Sequence, residues 1–405
     1  MRLLHTSDWH LGRSLHGVDL LEHQAAFGNH LVEVVRDEGV DAVVVAGDVY
    51  DRAIPPVEAV DLLSDLLARL AERASVVVTS GNHDSATRLG FGAALMRERV
   101  RLRTRVAQLA EPVVLAGDGE PDTVVYGLPY LDPTTARYQL ADDDQMPDRS
   151  HEAVLGAAMD RVRVDLVRRR TERPLRSVVA AHAFVVGAQP SESERDIQVG
   201  GTQGVPAQVF AGVDYVALGH LHSPQEVPGP DGGAGGHRPV LRYSGSPLAY
   251  SFAETEPKSS VLVELGRGSS RPGRASGSAS DVRTTLVPTP VPRRMSQVTG
   301  TLDDLLGAAG EPFVDDWLKV RVTDPARPPD LVPRLRRRFA HLLVVQHTPQ
   351  VCDLAAVPPG DRPGADPVRV AGDFVAHVTG TAPTDAELAV LRRAYEDVLT
   401  AQRTA

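Results

Sequence analysis

ALGHLHSPQ, residues 217–225, is the stretch from which the chain can be read. Val213, Tyr215, Val216, Ala217 and Leu218 make an apolar run of the kind that forms a buried strand, and His220 and His222 leave its end two residues apart. Taken alone, such a histidine pair is a common surface feature. It gains meaning because four other predicted strands also end in side chains able to hold a metal.

The first of these strands, residues 2–6, runs into Ser7-Asp8-Trp9-His10. Helical spacing follows at Leu20, Leu21, Phe27, Leu31 and Val34, and the β-branched run 42–45 then closes on Ala46-Gly47-Asp48. Pro55 and Pro56 open a second helix carrying Val60, Leu63, Leu66, Leu67 and Leu70, and the strand 75–79 delivers Gly81-Asn82-His83-Asp84. Further on, strands are expected at 112–115 and 123–128, a polar loop at 141–145, a helix at 152–170, and a strand at 177–181 that ends at His182. After a Gly- and Gln-containing loop at 199–205 and the 217–225 stretch come a Gly-rich hairpin at 229–236 and strands at 240–243 and 260–264. Residues 266–280, rich in Gly, Ser and Arg, read as a flexible surface loop. The pattern is an α/β alternation whose strands end in ligand-type residues.

Composition bounds the function. At 405 residues with 42% hydrophobic content the chain is expected to form two or three domains with real cores. Cys352 stands alone, which excludes an internal disulfide or a cysteine cluster. No apolar run approaches the ~20 residues of a membrane span and no signal-peptide pattern follows Met1, so the expected location is cytoplasmic. With 43 basic and 53 acidic residues the net charge is −10, which is not that of a stand-alone DNA-coating protein. Local basic groups occur at Arg97, Arg99, Arg101, Arg103 and Arg105, at Arg161, Arg163 and Arg168 to Arg170, and at Arg334 and Arg336 to Arg338. Each is expected to be a solvated helix face, with phosphate contact as the alternative.

Collected, the strand ends supply Asp8, His10, Asp48, Asn82, His182, His220 and His222. Singly, each has an ordinary structural explanation as a cap or a satisfied polar group. Together they exceed what one metal uses and suggest two metals sharing a carboxylate, with N and O donors that favour Mn²⁺, Fe²⁺ or Zn²⁺ over Ca²⁺. Two cations about 3.5–4 Å apart clamp a phosphate and generate hydroxide near neutral pH, which is the chemistry of phosphoester hydrolysis.

The ordered set Asp8-x-His10, Gly47-Asp48, Gly81-Asn82-His83-Asp84, His182 and Gly219-His220-Leu221-His222 resembles the calcineurin-like metallophosphoesterases. The surrounding sequence DWHLGR, AGDVYDRAIPP, GNHDS, VGGTQGVP, DYVALGHLHSPQ and YSGSPLAYSF is similar to one bacterial branch, the SbcD nuclease subunits, strongly to about residue 265 and more weakly beyond. The resemblance implies a two-sheet sandwich flanked by helices over residues 1–290. It implies a small α+β capping domain over 291–380 and a C-terminal helix over 381–405. Asp8, His10 and His222 would hold one metal, Asn82, His182 and His220 the other, with Asp48 between them and Mn²⁺ as the expected ion. His83 would be the catalytic acid that protonates the leaving oxygen, oriented by Asp84. Because Tyr50-Asp51 stands where some relatives have a second histidine, no second acid is expected. His5, His16, His23, His30 and His151 have no matching role and are left as core or surface residues. The same resemblance implies 3′-5′ exonuclease action on duplex DNA and endonuclease action on single strands, in repair, recombination and replication. It also implies an ATPase partner, SbcC, and a homodimer within a heterotetramer.

The last third has its own texture. Pro288, Pro290 and Pro292 suggest a stiff connector, followed by helix, strand, helix and strand at 302–306, 317–322, 331–339 and 342–345, with 358–367 as loop. Pro383, Thr384 and Glu387 form a capping-box start, and Leu388, Leu391, Tyr395, Val398 and Leu399 share one face of the helix that follows. That stripe packs either on the chain's own domain or in a partner's groove; the resemblance favours the root of the SbcC coiled coil. Two rival functions are a small-molecule phosphatase or phosphodiesterase with the same metals, against which the extra C-terminal region argues, and a non-catalytic module, against which the complete ligand set argues.

Overall fold

The protein, a computed structural model, is described over residues 1–96, 99–117, 120–142, 145–191, 193–194, 204–230, 238–266, 282–291, 293–349 and 366–404. Arg97, Pro292, Cys352 and most of the loops expected at 199–205, 229–236, 266–280 and 358–367 lie outside those residues. Contacts divide the chain into two units, Met1–Pro292 and Arg293–Ala405.

The first unit follows from strands that bury both faces. Ala42–Ala46, sequence AVVVA, has no exposed residue, and with a side-chain period of two its residues serve two different cores. Val43 and Val45 pack with Phe27, Leu31, Leu66 and Leu70 of the helices Leu21–Asp37 and Val57–Ala71. Ala42 and Val44 pack with Val178, Ala180 and Ala217 of another sheet. The same alternation in that second sheet turns Val179, Ala181, Val216 and Leu218 toward Val154, Met159 and Val162 of the helix His151–Glu172. Two six-stranded sheets are therefore stacked face to face with helices on both outer sides. This is the expected α/β sandwich.

In order across the first sheet stand Val282–Pro288, Ser259–Leu265, Arg2–Thr6, Ala42–Ala46, Ser75–Thr79 and Val100–Arg103; across the second, Gln225–Val227, Val240–Tyr243, Tyr215–Gly219, Leu175–His182, Asp122–Leu128 and Val113–Leu115. Arg2–Thr6, Ala42–Ala46 and Ser75–Thr79 are mutually parallel, as are Leu175–His182 and Tyr215–Gly219, whose Gly219 sits opposite His182. Parallel strands put all their C-terminal ends on one edge, where α/β sheets bind their ligands. Between the sheets, His5 is buried and bonded through Nδ1 to Tyr215 Oη at 2.9 Å and through Nε2 to the Leu218 carbonyl at 3.2 Å, which gives it a core role.

Two expectations give way to the structure. Pro288 ends an edge strand, Val282–Pro288, rather than belonging to a connector; proline is tolerated there because an edge needs fewer ladder donors. The basic residues 99–105 lie around the strand Val100–Arg103 instead of a helix. The Arg161 to Arg170 group is helical but locally paired, with Asp142, Asp160, Asp165 and Asp214 between 2.5 and 3.2 Å from its guanidinium groups.

In the second unit three parallel strands, Met295–Gly300, Trp317–Val322 and Leu342–His347, carry the helices Leu302–Leu306 and Leu331–Arg338. Leu305, Leu318, Val320, Leu335 and Phe339 form its core. Beyond it the helices Pro367–Thr379 and Asp385–Thr404 pair, the first not expected from the sequence, and turn at Gly380 with φ of 71°. The capping box forms: Thr384 N–H donates to Glu387 Oε2 at 2.7 Å and Glu387 N–H to Thr384 Oγ1 at 3.4 Å. Leu388 faces Gly372, while Tyr395 and Val398 stay exposed, as do Val370, Phe374 and Val378 of the paired helix. Among the described residues no helix is long and apolar enough to cross a membrane.

Candidate metal centre

Three of the five ligand-bearing turns leave their strands under strain and are pinned by a buried apolar neighbour. Asp8, His10, Asp48 and His220 have φ of 54°, 44°, 47° and 106°, a left-handed backbone that costs of order 1–3 kcal/mol each and persists only where the surroundings enforce it. The enforcement is visible: Trp9, between Asp8 and His10, is fully buried edge-on to Phe27 and donates its indole N–H to Thr6 Oγ1 at 2.9 Å. Leu11 and Leu221 are buried likewise. Asp8 N–H reaches the Gly47 carbonyl at 3.1 Å and His10 N–H the Asp48 carbonyl at 3.0 Å, so the first two turns run side by side.

Glycine before a ligand has a steric reason. A Cβ on Gly81 would stand 2.1 Å from Asp48 Oδ1, and one on Gly219 would stand 1.9 Å from the Ala46 carbonyl. Only glycine lets the strand ends come this close.

The structure brings all seven expected ligands and His83 together. The ligand atoms of Asp8, His10 and His222 lie within 4.8 Å of one another, as do those of Asp8, Asp48 and His182, and those of His10, Asp48 and His83. His10 Nε2 and His222 Nε2 face each other at 3.1 Å. On the other side Asn82 Oδ1 stands 2.9 Å from His182 Nε2 and 3.2 Å from His220 Nδ1. Between the two groups lies Asp48 Oδ2, 3.7 Å from His10 Nε2 and 3.4 Å from His182 Nε2. Two sets of N and O donors flanking one carboxylate oxygen fit a pair of transition-metal ions.

Electrostatics agree with that fit. Burial pushes Asp8 up to about 7 and His10 and His220 downward. Burial opposes charge on His182 as well, but the Asp48 carboxylate outweighs it and raises the imidazole to about 9, while His182 holds Asp48 well below the usual carboxylate range. His182 Nδ1–H donates to the Ala46 carbonyl at 2.9 Å, which turns Nε2 inward as a metal-binding imidazole requires.

His83 donates Nδ1–H to the Asp51 carbonyl at 2.7 Å, and its Nε2 lies 4.0 Å from Asp48 Oδ2. Asp84 follows His83 in the same turn. Its carboxylate accepts from the backbone N–H of Val49, Tyr50 and Gly81 at 2.9–3.1 Å and so ties the Asp48 turn to the Asn82 turn, with burial and Asp48 pushing it up to about 7.

Several residues of the site escaped the sequence reading. Asp51 Oδ1 lies 3.5 Å from His10 Nδ1, Gln24 donates to the His10 carbonyl at 2.7 Å, and Tyr250 packs edge-on against the rings of His10 and His222. Glu254 and Lys258 form a buried pair behind His222. Burial disfavours charge on Glu254, yet His222 and Lys258 bring it down to about 2. An acid and a lysine four residues apart in AETEPK, just after the apolar YSF, were the available signal.

Residues 1–224 match the calcineurin-like phosphoesterase family, over more than half of the chain and across all seven ligands. The chain belongs to that family. The SbcD component of the SbcCD nuclease of Bacillus subtilis is 35% identical over 65% of this chain and 66% of its own length. Its namesake from Escherichia coli K12 is 31% identical over 80% of this chain and 78% of its own. A solved structure from Thermus thermophilus, 14% identical, aligns with 64% of this chain and 92% of its own at a TM-score of 0.36, too distant a likeness to bear on the fold. As a calcineurin-like phosphoesterase similar to SbcD nucleases, the chain is a metal-binding hydrolase of phosphodiester bonds.

Proposed function

We propose that this chain is the nuclease component of an SbcCD complex, cutting DNA phosphodiester bonds with two divalent ions, Mn²⁺ in the working enzyme. It degrades duplex ends 3′-5′ and nicks single strands, with duplex processing driven by ATP through an SbcC partner. One observation carries the reading: the Asp48 carboxylate stands between the trio Asp8, His10, His222 and the trio Asn82, His182, His220. The likeness to two proteins named as the SbcD part of an SbcCD nuclease supports DNA as the substrate.

Ions bound at the two trios would clamp the phosphate and lower the pKa of a water between them. The chain's own residues supply the rest. His83 is the catalytic acid: the Asp51 carbonyl fixes Nδ1–H, so a proton on Nε2 faces the site and can pass to the departing sugar oxygen. Asp84 holds the two loops in register so that this geometry exists before substrate arrives.

The net charge of −10 favours a partner that supplies the DNA-clamping surface. Its dock is the C-terminal helix pair, where Phe374, Tyr395 and Val398 are exposed, on a protein that works as a homodimer within a heterotetramer and in the cytoplasm. The test compares release of mononucleotides from linear duplex DNA with turnover of a small chromogenic phosphodiester, with and without Mn²⁺. Metal-dependent nucleotide release is expected. Turnover of the small ester with none of DNA would overturn the nuclease reading in favour of a small-molecule phosphodiesterase.

A further inference from the structure

We propose that Glu254, anchored by Lys258 and acting through the Ser193 hydroxyl, is the residue that positions the His222 imidazole, so that this buried pair sets the affinity of one metal site. Glu254 and Lys258 are 4% and 2% exposed. A buried ion pair is tolerated only when its remaining donors and acceptors are satisfied, and here they are used on His222. Lys258 Nζ donates to Glu254 Oε2, to the His222 carbonyl at 2.9 Å and to Ser246 Oγ at 3.0 Å. Glu254 Oε1 accepts the Tyr250 N–H at 3.1 Å and the Ser193 hydroxyl.

The direction of each bond follows from the inventory of donors. An ionised carboxylate only accepts, so the proton between Ser193 and Glu254 is the serine's. Ser193 Oγ can then only accept from His222 Nδ1, 2.6 Å away. His222 must carry its proton on Nδ1, which leaves the lone pair on Nε2, the atom that faces His10 Nε2 at 3.1 Å. The backbone is held too, because His222 N–H donates to Glu194 Oε1 at 2.8 Å. A carboxylate behind a ligand imidazole fixes its tautomer and raises its basicity, and removing such a partner weakens metal binding by ~10–100-fold.

A merely structural pair predicts something else: loss of Glu254 would loosen residues 244–258 and leave the two sites equally affected. The experiment titrates Mn²⁺ calorimetrically into the metal-free full chain, in wild type, Ser193→Ala and Glu254→Gln. Both variants are expected to weaken one site by ~10–100-fold and leave the other essentially at its wild-type affinity. If Glu254→Gln fails to fold, the double variant Glu254→Gln with Lys258→Met removes the orphaned ammonium; it should recover the fold but not the affinity. Wild-type affinity at both sites in Ser193→Ala, or equal weakening of both, would overturn the proposal. It rests on the two-metal reading, and a wild-type chain that takes up a single ion would overturn that reading instead.

Discussion

Replacing His83 by glutamine separates proton transfer from metal binding. The amide keeps a side-chain N–H that can reach the Asp51 carbonyl, now 2.7 Å from the ring, but has no proton to give up. The two trios and Asp48 do not include His83, so two ions should remain bound at equal folding. The loss is then the general-acid contribution alone, ~10²–10⁴ in turnover or about 3–5 kcal/mol of barrier. Its size must depend on the leaving group. Departing deoxyribose oxygen needs the proton, whereas a nitrophenolate leaves without one, so the variant should lose ~10²–10⁴ on DNA and less than about tenfold on a nitrophenyl phosphodiester. Metal per chain is measured by plasma mass spectrometry on the protein used for both assays. Equal losses on the two substrates, or one ion missing, would refute the acid assignment; the second result would make His83 a ligand, consistent with its distance from His10 and Asp48.

The hub itself should be less forgiving. Asp48→Ala removes the oxygen between the two trios and should abolish metal-dependent cleavage with loss of bound ions; a folded variant with full nuclease activity and two ions would contradict the two-metal assignment. His5 gives a pH signature remote from the chemistry: burial pushes it down to about 3 in the fold against an ordinary value of 6.5, so the unfolded chain takes up the proton first. Its contribution is full above pH 6.5 and is lost as pH falls toward 3, about 2 kcal/mol between pH 7.5 and 5, and urea unfolding of His5→Gln should be flatter over that window than wild type. Truncation after Gly380 should leave metal content and cleavage of single strands intact while abolishing co-purification with the ATPase and ATP-dependent attack on duplex ends. Undiminished binding of the truncated chain would assign the Asp385–Thr404 helix to the protein's own core.

What the sequence carried, and what it hid, divides along the range of the interaction. Strands such as Ala42–Ala46 and Ser75–Thr79 were readable because their burial on both faces writes an unbroken β-branched run. The ligand turns were readable because close approach forces glycine before Asp48, Asn82 and His220. Val282–Pro288 was missed because none of its residues is buried and its sequence, VRTTLVP, lacks the apolar–polar alternation of a half-buried strand, with its register supplied by Ser259–Leu265. Met295–Gly300 was missed for a similar reason, since only Val298 joins the core and parallel pairing with Trp317–Val322 holds the rest. The helix Pro367–Thr379 could have been found: Asp366 caps Val368 N–H at 3.0 Å with Pro367 at the first position, a start signal obscured by the proline-rich sequence before it. The backbone bonds of Asp84 and the place of Glu254 were hidden in a stricter sense. Asp84 accepts from the amide N–H groups of Val49 and Tyr50, 35 and 34 residues away in the chain, which no local pattern announces. Glu254 lies 32 residues beyond His222 and meets it only because the turn at 244–258 folds back under the site. The groups that could touch metal or substrate were thus local motifs at strand ends, whereas the groups that hold them depend on the tertiary fold. Substitutions at Glu254, Lys258 and Asp84 should therefore affect how tightly and how uniformly metal is bound before they affect which bond is cut.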